Sequence, residues 1–262
     1  MSAPGTLGLE GRTIIITGAA RGIGLSAVER FADERCKILG FDLSGSDFTG
    51  VREITRRAGA EVITLEGDVS READWSRAMD TALKTWGRLD ILFNNAGISG
   101  PTLDLTRYPV DAFDRVMDVN VRGVFLGMQH AARHMKPLGR GVIINVSSIS
   151  GSRGGGNIFG YTASKYAVNG MTQSAAVSLA RHGVRVLAVC PCPTRTDMIY
   201  ELERQVSPEN PASARPGLAA GIPMKRYGEP HEIINLVAFL ASDQAAFMTG
   251  ALVPVDGGCL AD

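Results

Sequence analysis

Short apolar, β-branched runs alternate with longer amphipathic stretches, and this rhythm limits the possible fold more than any other feature. The runs fall at residues 13–16, 37–41, 61–65, 89–93, 142–146, 184–189 and 251–255. Helical periodicity marks 23–34, 71–86, 110–136, 161–181 and 230–241. Strands that read as continuous apolar runs are covered on both faces, and strand–helix alternation puts the helices there. The expectation is an α/β, Rossmann-like, doubly wound parallel sheet of about seven strands. A chain of 262 residues suffices for one such domain, and no linker divides it. Ligands of these sheets bind beyond the carboxyl ends of the strands, so the chemistry is sought there.

Composition excludes several other classes. Lys plus Arg and Asp plus Glu are 27 each, so no basic face for nucleic acid is indicated. No apolar stretch reaches bilayer length, and the opening MSAPGTLGLE lacks the charge and apolar core of a secretory signal. Cys36, Cys190, Cys192 and Cys259 form no C-x-x-C pair, which fits a reducing cytosol.

The first run leads into Thr17-Gly18-Ala19-Ala20-Arg21-Gly22-Ile23-Gly24 at a helix start. Glycines allow a tight turn and close approach of a pyrophosphate, and the helix N-terminus supplies N–H donors and positive dipole. Asp42, 18 residues beyond Gly24, stands where an acid would hold the adenosine ribose hydroxyls and repel a 2′-phosphate. That favours NAD; Arg21 is the counter-signal for NADP. Gly67-Asp68-Val69 and Asn94-Asn95-Ala96-Gly97 close the third and fourth strands, on the expected path of adenine and nicotinamide ribose.

Tyr161-Thr162-Ala163-Ser164-Lys165 places a phenol and an ammonium on one helix face. At ~4 Å and an effective dielectric of ~20, their attraction is about 4 kcal/mol, enough to bring a phenol with an ordinary pKa of ~10 toward neutrality. A phenol so placed exchanges protons with an alcohol or ketone.

Taken with Thr17 to Gly24, Asn94 to Gly97 and Ile144-Asn145-Val146-Ser147-Ser148, the chain resembles the short-chain dehydrogenase/reductase family, from Leu9 to Gly258. The resemblance implies a single Rossmann-like domain, often tetrameric, acting on a small-molecule alcohol or ketone. It implies Tyr161 as acid/base and Ser148, thirteen positions earlier, as the substrate-orienting serine rather than Ser147. It makes Lys165 the group that lowers the tyrosine pKa and binds ribose, and Asn120 the holder of a proton-relay water. Pro191, Thr194 and Thr196 align with contacts to the carboxamide. Cys192 replaces the usual glycine, and an inert side chain is expected because no base adjoins it.

Residues 194–226, rich in proline and glycine, break the rhythm and are expected to form an irregular substrate lid. Arg153, Asn157 and Arg195 flank the substrate region; an anion or sugar-like substrate held by an arginine and plain surface arginines both fit. His130 and His134 have i,i+4 metal spacing but lack the glutamate of H-E-x-x-H, so no metal is expected. Two alternatives remain: an NADPH-dependent 3-oxoacyl reductase, if Arg21 outweighs Asp42, and a non-catalytic dinucleotide-sensing protein.

Overall fold

The computed structural model describes residues 7–261. The expectation about a secretory signal therefore lies, for residues 1–6, outside the described residues. Seven strands form one sheet: β1 (Thr13–Thr17), β2 (Lys37–Asp42), β3 (Val62–Glu66), β4 (Ile91–Asn94), β5 (Gly141–Val146), β6 (Val184–Pro191) and β7 (Leu252–Val255). Their order is β3-β2-β1-β4-β5-β6-β7, and every pairing is parallel. All residues of β1 are buried, because successive side chains enter opposite layers. Ile14 and Ile16 join α1 (Gly22–Asp33) and α9 (Pro230–Ala241) through Val28, Phe31, Ile234 and Val237. Ile15 joins α3 (Glu72–Trp86), α5 (Gly123–Leu138) and α6 (Phe159–Leu179) through Trp75, Ala131 and Val168.

Three expectations change. A helix at α2 (Thr49–Ala58) was not expected; its periodic signal is only the buried pair Val51 and Ile54. The stretch 110–136 is not continuous, since a π-turn at Asp118–Arg122 separates α4 (Val110–Met117) from α5. Such turns concentrate at functional sites, and this one contains Asn120. Residues 194–226 are not irregular throughout, for they contain α7 (Asp197–Val206) and α8 (Ala214–Ala220).

A buried polar ladder fixes α6 against the sheet. Asn94 Nδ2 donates to Asn145 Oδ1 at 2.9 Å, and Asn145 Nδ2 donates to Thr172 Oγ1 at 2.9 Å. Buried amides are costly unless paired, so the ladder specifies one seating for α6. The sheet order reverses between β1 and β4, which opens the crevice where ligands of such sheets bind.

Candidate active site

The glycine turn lies at this crevice. Gly18 and Gly22 have φ of +66° and +55°, in the left-handed region. A Cβ at Gly24 would stand 1.9 Å from the Gly18 carbonyl oxygen, so only glycine lets α1 start this close to β1. Asn95 Nδ2 donates to Thr17 O at 2.9 Å and to Gly18 O at 3.3 Å. Thr17 Oγ1 accepts in return from Asn95 N at 2.9 Å and Ala96 N at 3.0 Å. The sequence places Thr17 at the head of the glycine motif but assigns it no role; its position at the strand end, before the first glycine, is the signal for one.

No side chain caps α1, whose first-turn amides face the turn. Asp42 closes β2 beside it. Its Oδ2 accepts from Ala20 N at 2.8 Å, and its Oδ1 from Leu43 N at 2.8 Å and Ser46 Oγ at 3.0 Å. The Arg21 side chain is 78% exposed and lies 3.8 Å from Asp197, turned toward α7 rather than Asp42. Asp68 Oδ1 accepts from Ser70 N and Oγ, and Val69 O accepts from Trp75 Nε1, which fixes the end of β3. Thr196 closes the opposite side: its Cγ2 would lie 3.3 Å from a Cβ at Gly22. Thr194 is buried, its Oγ1 donating to Cys192 O just beyond Pro191.

The proton-handling groups converge next to this turn. Tyr161, in the first turn of α6, has its hydroxyl beside Ser148, which follows β5. Ser148 Oγ also accepts from Ser150 N at 3.1 Å. Ser147 Oγ instead donates to Lys165 O, a structural bond that leaves Ser148 as the serine facing Tyr161. Lys165 Nζ donates to Val146 O at 2.8 Å and sits 5.4 Å from the centre of the Tyr161 ring. Asn120, fully buried, exchanges two 2.9 Å hydrogen bonds with the backbone of Ile98 and donates to Ser164 Oγ at 3.0 Å. A Cβ at Gly97 would meet Asn120 Oδ1 at 3.2 Å and Lys165 Nζ at 3.7 Å, so Gly97 brings the β4 loop onto both groups.

The electrostatics differ from the sequence expectation. Burial pushes the Tyr161 hydroxyl above its ordinary value, against the pull of Ser148. Burial pushes the Lys165 ammonium down to about 8. Desolvation thus acts on both members of the pair, and the i,i+4 attraction does not lower the tyrosine. The lysine shift has a stability consequence. Its folded pKa lies below the ordinary lysine value near 10.5, so the unfolded chain binds more protons between pH 8 and 10.5. Wild type should gain on Lys165→Met across that window, by at most about 1.4 kcal/mol per pH unit. Thermal denaturation of both proteins at pH 7.5 and 9.5 checks this; a constant difference in Tm would reject a depressed Lys165.

Asn157 O accepts from Leu103 N at 2.8 Å, joining the segment before Tyr161 to the loop after β4. Arg153 Nη1 donates to Cys259 O at 3.2 Å, and Arg195 Nε pairs with Glu229 Oε1 at 2.8 Å. Both guanidiniums therefore have protein partners. Cys192 packs with Ile149, Ile199, Ile222, Tyr227 and Cys259 beside Ser148, and burial pushes its thiol up to about 12, as expected of an unreactive side chain. His134 Nε2 accepts from Leu89 N, which occupies a candidate ligand atom, and no metal-binding group of acidic, His or Cys residues occurs among the described residues.

Comparisons with known proteins agree with this fold. A family model described as enoyl-(acyl carrier protein) reductase matches residues 18–259. The fold is similar to the crystal structure of levodione reductase, with a TM-score of 0.94 and 37% identity over 97% of this chain and 99% of that one. The chain is a short-chain dehydrogenase/reductase. Two relatives of this dehydrogenase are 3beta-hydroxysteroid dehydrogenase 2 of Eggerthella lenta and cis-4-hydroxycyclohexanecarboxylate dehydrogenase of Sinomonas cyclohexanicum. The first is 38% identical over 95% of each chain, and the second 39% identical over 94% of this chain and 96% of its own. As a member of the family it is an NAD(P)-dependent oxidoreductase of secondary alcohols and ketones. Among the described residues, no helix is long and apolar enough to cross a membrane.

Proposed function

We propose that this dehydrogenase interconverts an alicyclic secondary alcohol and its ketone with NAD, using Tyr161 as the acid/base. The observation that carries this reading is the convergence of the Tyr161 ring, the buried Lys165 ammonium and Ser148 beside a glycine turn flanked by Asp42. A bound nicotinamide dinucleotide supplies the hydride acceptor or donor. Ser148 orients the substrate oxygen, and the Tyr161 hydroxyl takes its proton in oxidation or returns it in reduction. Lys165, held by Val146 O, keeps a positive group near the phenol. Asn120 secures the β4 loop through Ile98 and serves the proton-relay role that the family assigns to it.

The Asp42 carboxylate supports NAD, since three donors from this chain hold it in place as an anion beside the turn. Arg21, solvated and turned to Asp197, gives the NADPH-dependent reductase reading little support. A ring-shaped substrate is supported by the steroid and cyclohexane rings in the relatives' names, and by the apolar character of the buried cluster that Ile149, next to Ser148, shares with Cys192, Ile199 and Tyr227. The arginine-held anion finds less support, because Arg153 and Arg195 are both engaged. The segment 194–226 acts as lid over the single domain. Exposed Phe125, Tyr166 and Val177 on α5 and α6 form an apolar outer face suited to burial in a homotetramer. Four buried cysteines suit a reducing cytosol.

The deciding assay measures dinucleotide reduction by purified protein with cyclohexanols, sterols, polyols and ring carboxylates, with NAD⁺ and NADP⁺ in parallel. The expected result is turnover of ring alcohols with NAD⁺ favoured at least tenfold, about 1.4 kcal/mol of discrimination. Preference for NADP⁺ would overturn the role given to Asp42, and turnover confined to acyclic polyols would overturn the ring assignment.

A further inference from the structure

The helix α7 spans the front of the site and is held at both ends. At its start, Thr196 rests against Gly22 of the glycine turn. Its inner face delivers Ile199 to the apolar cluster that contains Ile149, next to Ser148. At its far end, Gln205 Oε1 accepts a 2.9 Å hydrogen bond from the backbone N–H of Thr102, 103 residues away on the loop after β4. That loop is itself tied to the catalytic frame: Ile98 pairs with Asn120, and Leu103 N donates to Asn157 O. One side-chain acceptor therefore joins the outer end of the lid to the framework of Asn120 and Tyr161.

The local chemistry sets Gln205 for this contact. Its Nε2 donates to Glu201 Oε1 at 3.4 Å, one turn earlier, which directs Oε1 away from the helix and toward Thr102. The rotation of α7 is set from the other side. The buried Glu203 carboxylate accepts from Arg215 Nε at 2.9 Å and Nη2 at 3.1 Å, and from the Tyr227 hydroxyl at 3.1 Å. Arg215 also stacks over the Tyr200 ring at 5.7 Å. These bonds clamp α7 to α8 and to the segment before α9. By contrast, Gln205 is exposed and its contact with the loop is a single neutral hydrogen bond. Such a bond has a small net worth, as suits a contact that must break and reform in each catalytic cycle.

We propose that Gln205 is a positioning residue that latches α7 over bound substrate by accepting the Thr102 N–H, a role that rests on the lid reading above. Opening the latch gives substrate a path in and product a path out. Closing it seats Ile199 against the substrate and excludes water from Tyr161. The working atom is the acceptor oxygen, and Nε2 serves to aim it through Glu201.

The test compares Gln205→Met, which keeps length and loses the acceptor, with Gln205→Glu, which keeps the acceptor. In Gln205→Met, KM for the alcohol should rise about three- to tenfold while kcat stays within twofold and NADH affinity is unchanged. Gln205→Glu, which keeps an acceptor but loses the Nε2 bond and sets a carboxylate against Glu201, should have a KM between those of wild type and Gln205→Met. A second readout needs no turnover: amide exchange at Thr102, resolved by NMR or fragmentation mass spectrometry, should speed up about three- to tenfold in Gln205→Met and by less in Gln205→Glu. Unchanged exchange in Gln205→Met would overturn the latch whatever the substrate proves to be. Equal rises in KM for both variants would overturn the acceptor role. Fast exchange in Gln205→Met without a change in KM would leave the bond real and remove its part in substrate closure.

Discussion

Tyr161→Phe should reduce turnover by about 10³-fold or more while leaving NADH affinity within a factor of two. Positioned acid–base catalysis accounts for about 10²–10⁴ in rate, and Tyr161 is the group beside Ser148 at this site. The substitution removes one oxygen and keeps the ring, so α6 retains its packing and its polar ladder through Thr172. Stability should change by roughly 1 kcal/mol or less, the net worth of one hydrogen bond. Steady-state rates with a ring alcohol, NADH fluorescence titration and a denaturation curve separate these effects. Residual turnover within tenfold of wild type would mean that another group moves the proton. A joint loss of turnover and NADH affinity would mean that the phenol serves mainly to hold the dinucleotide. The same variant separates an enzyme from a dinucleotide sensor, since a sensor keeps its ligand response without this hydroxyl.

Gly24→Ala should weaken NADH binding at least about 100-fold and lower stability by about 1–3 kcal/mol. The added Cβ would stand 1.9 Å from Gly18 O and 2.8 Å from Asn95 Nδ2, and neither contact involves a flexible side-chain end free to swing aside. The start of α1 must therefore draw back from the turn, which moves the uncapped amides and loosens the Asn95 clasp together. Gly45→Ala is the control. Its φ of +82° strains an alanine, but no atom lies within 4 Å of the new Cβ, so stability alone should drop. Titration of both variants with NADH, beside urea denaturation, tests the distinction. Wild-type affinity in Gly24→Ala would show that the pyrophosphate does not depend on this close approach.

The strands were legible because a sheet covered on both faces leaves nearly every strand residue apolar, and β1 and β5 stand where such runs occur. The convergence of Tyr161, Ser148, Lys165 and Asn120 was legible through the resemblance alone, as spacing places only Tyr161 and Lys165 together. Other features were hidden for physical reasons. The helix α2 is polar on most of its surface and buries only Val51 and Ile54, so no apolar run marks it. The π-turn at Asp118–Arg122 shifts one register without changing composition. Prolines masked α7 and α8, although Pro211 and Pro216 fall in first turns or next to them, where a missing N–H matters little. The pairings of Arg195 with Glu229 and Arg153 with Cys259 O depend on distances across the fold. The pKa of Tyr161 moved against expectation because a sequence shows a neighbouring charge but not the loss of water around it.

The clasp between Thr17 and Asn95 has a consequence for the order in which the protein becomes competent during synthesis. The residues that complete the glycine turn lie 77 or more positions downstream of Gly18, across the reversal between β1 and β4. At about 5–20 residues per second, roughly 4–16 s separate the two halves at the ribosome. Through that interval β1, β2 and β3 can assemble, but the turn lacks the Asn95 amide that holds its carbonyls. Dinucleotide therefore cannot act as a template for the amino-terminal half; it can reward only a nascent chain that has already added β4.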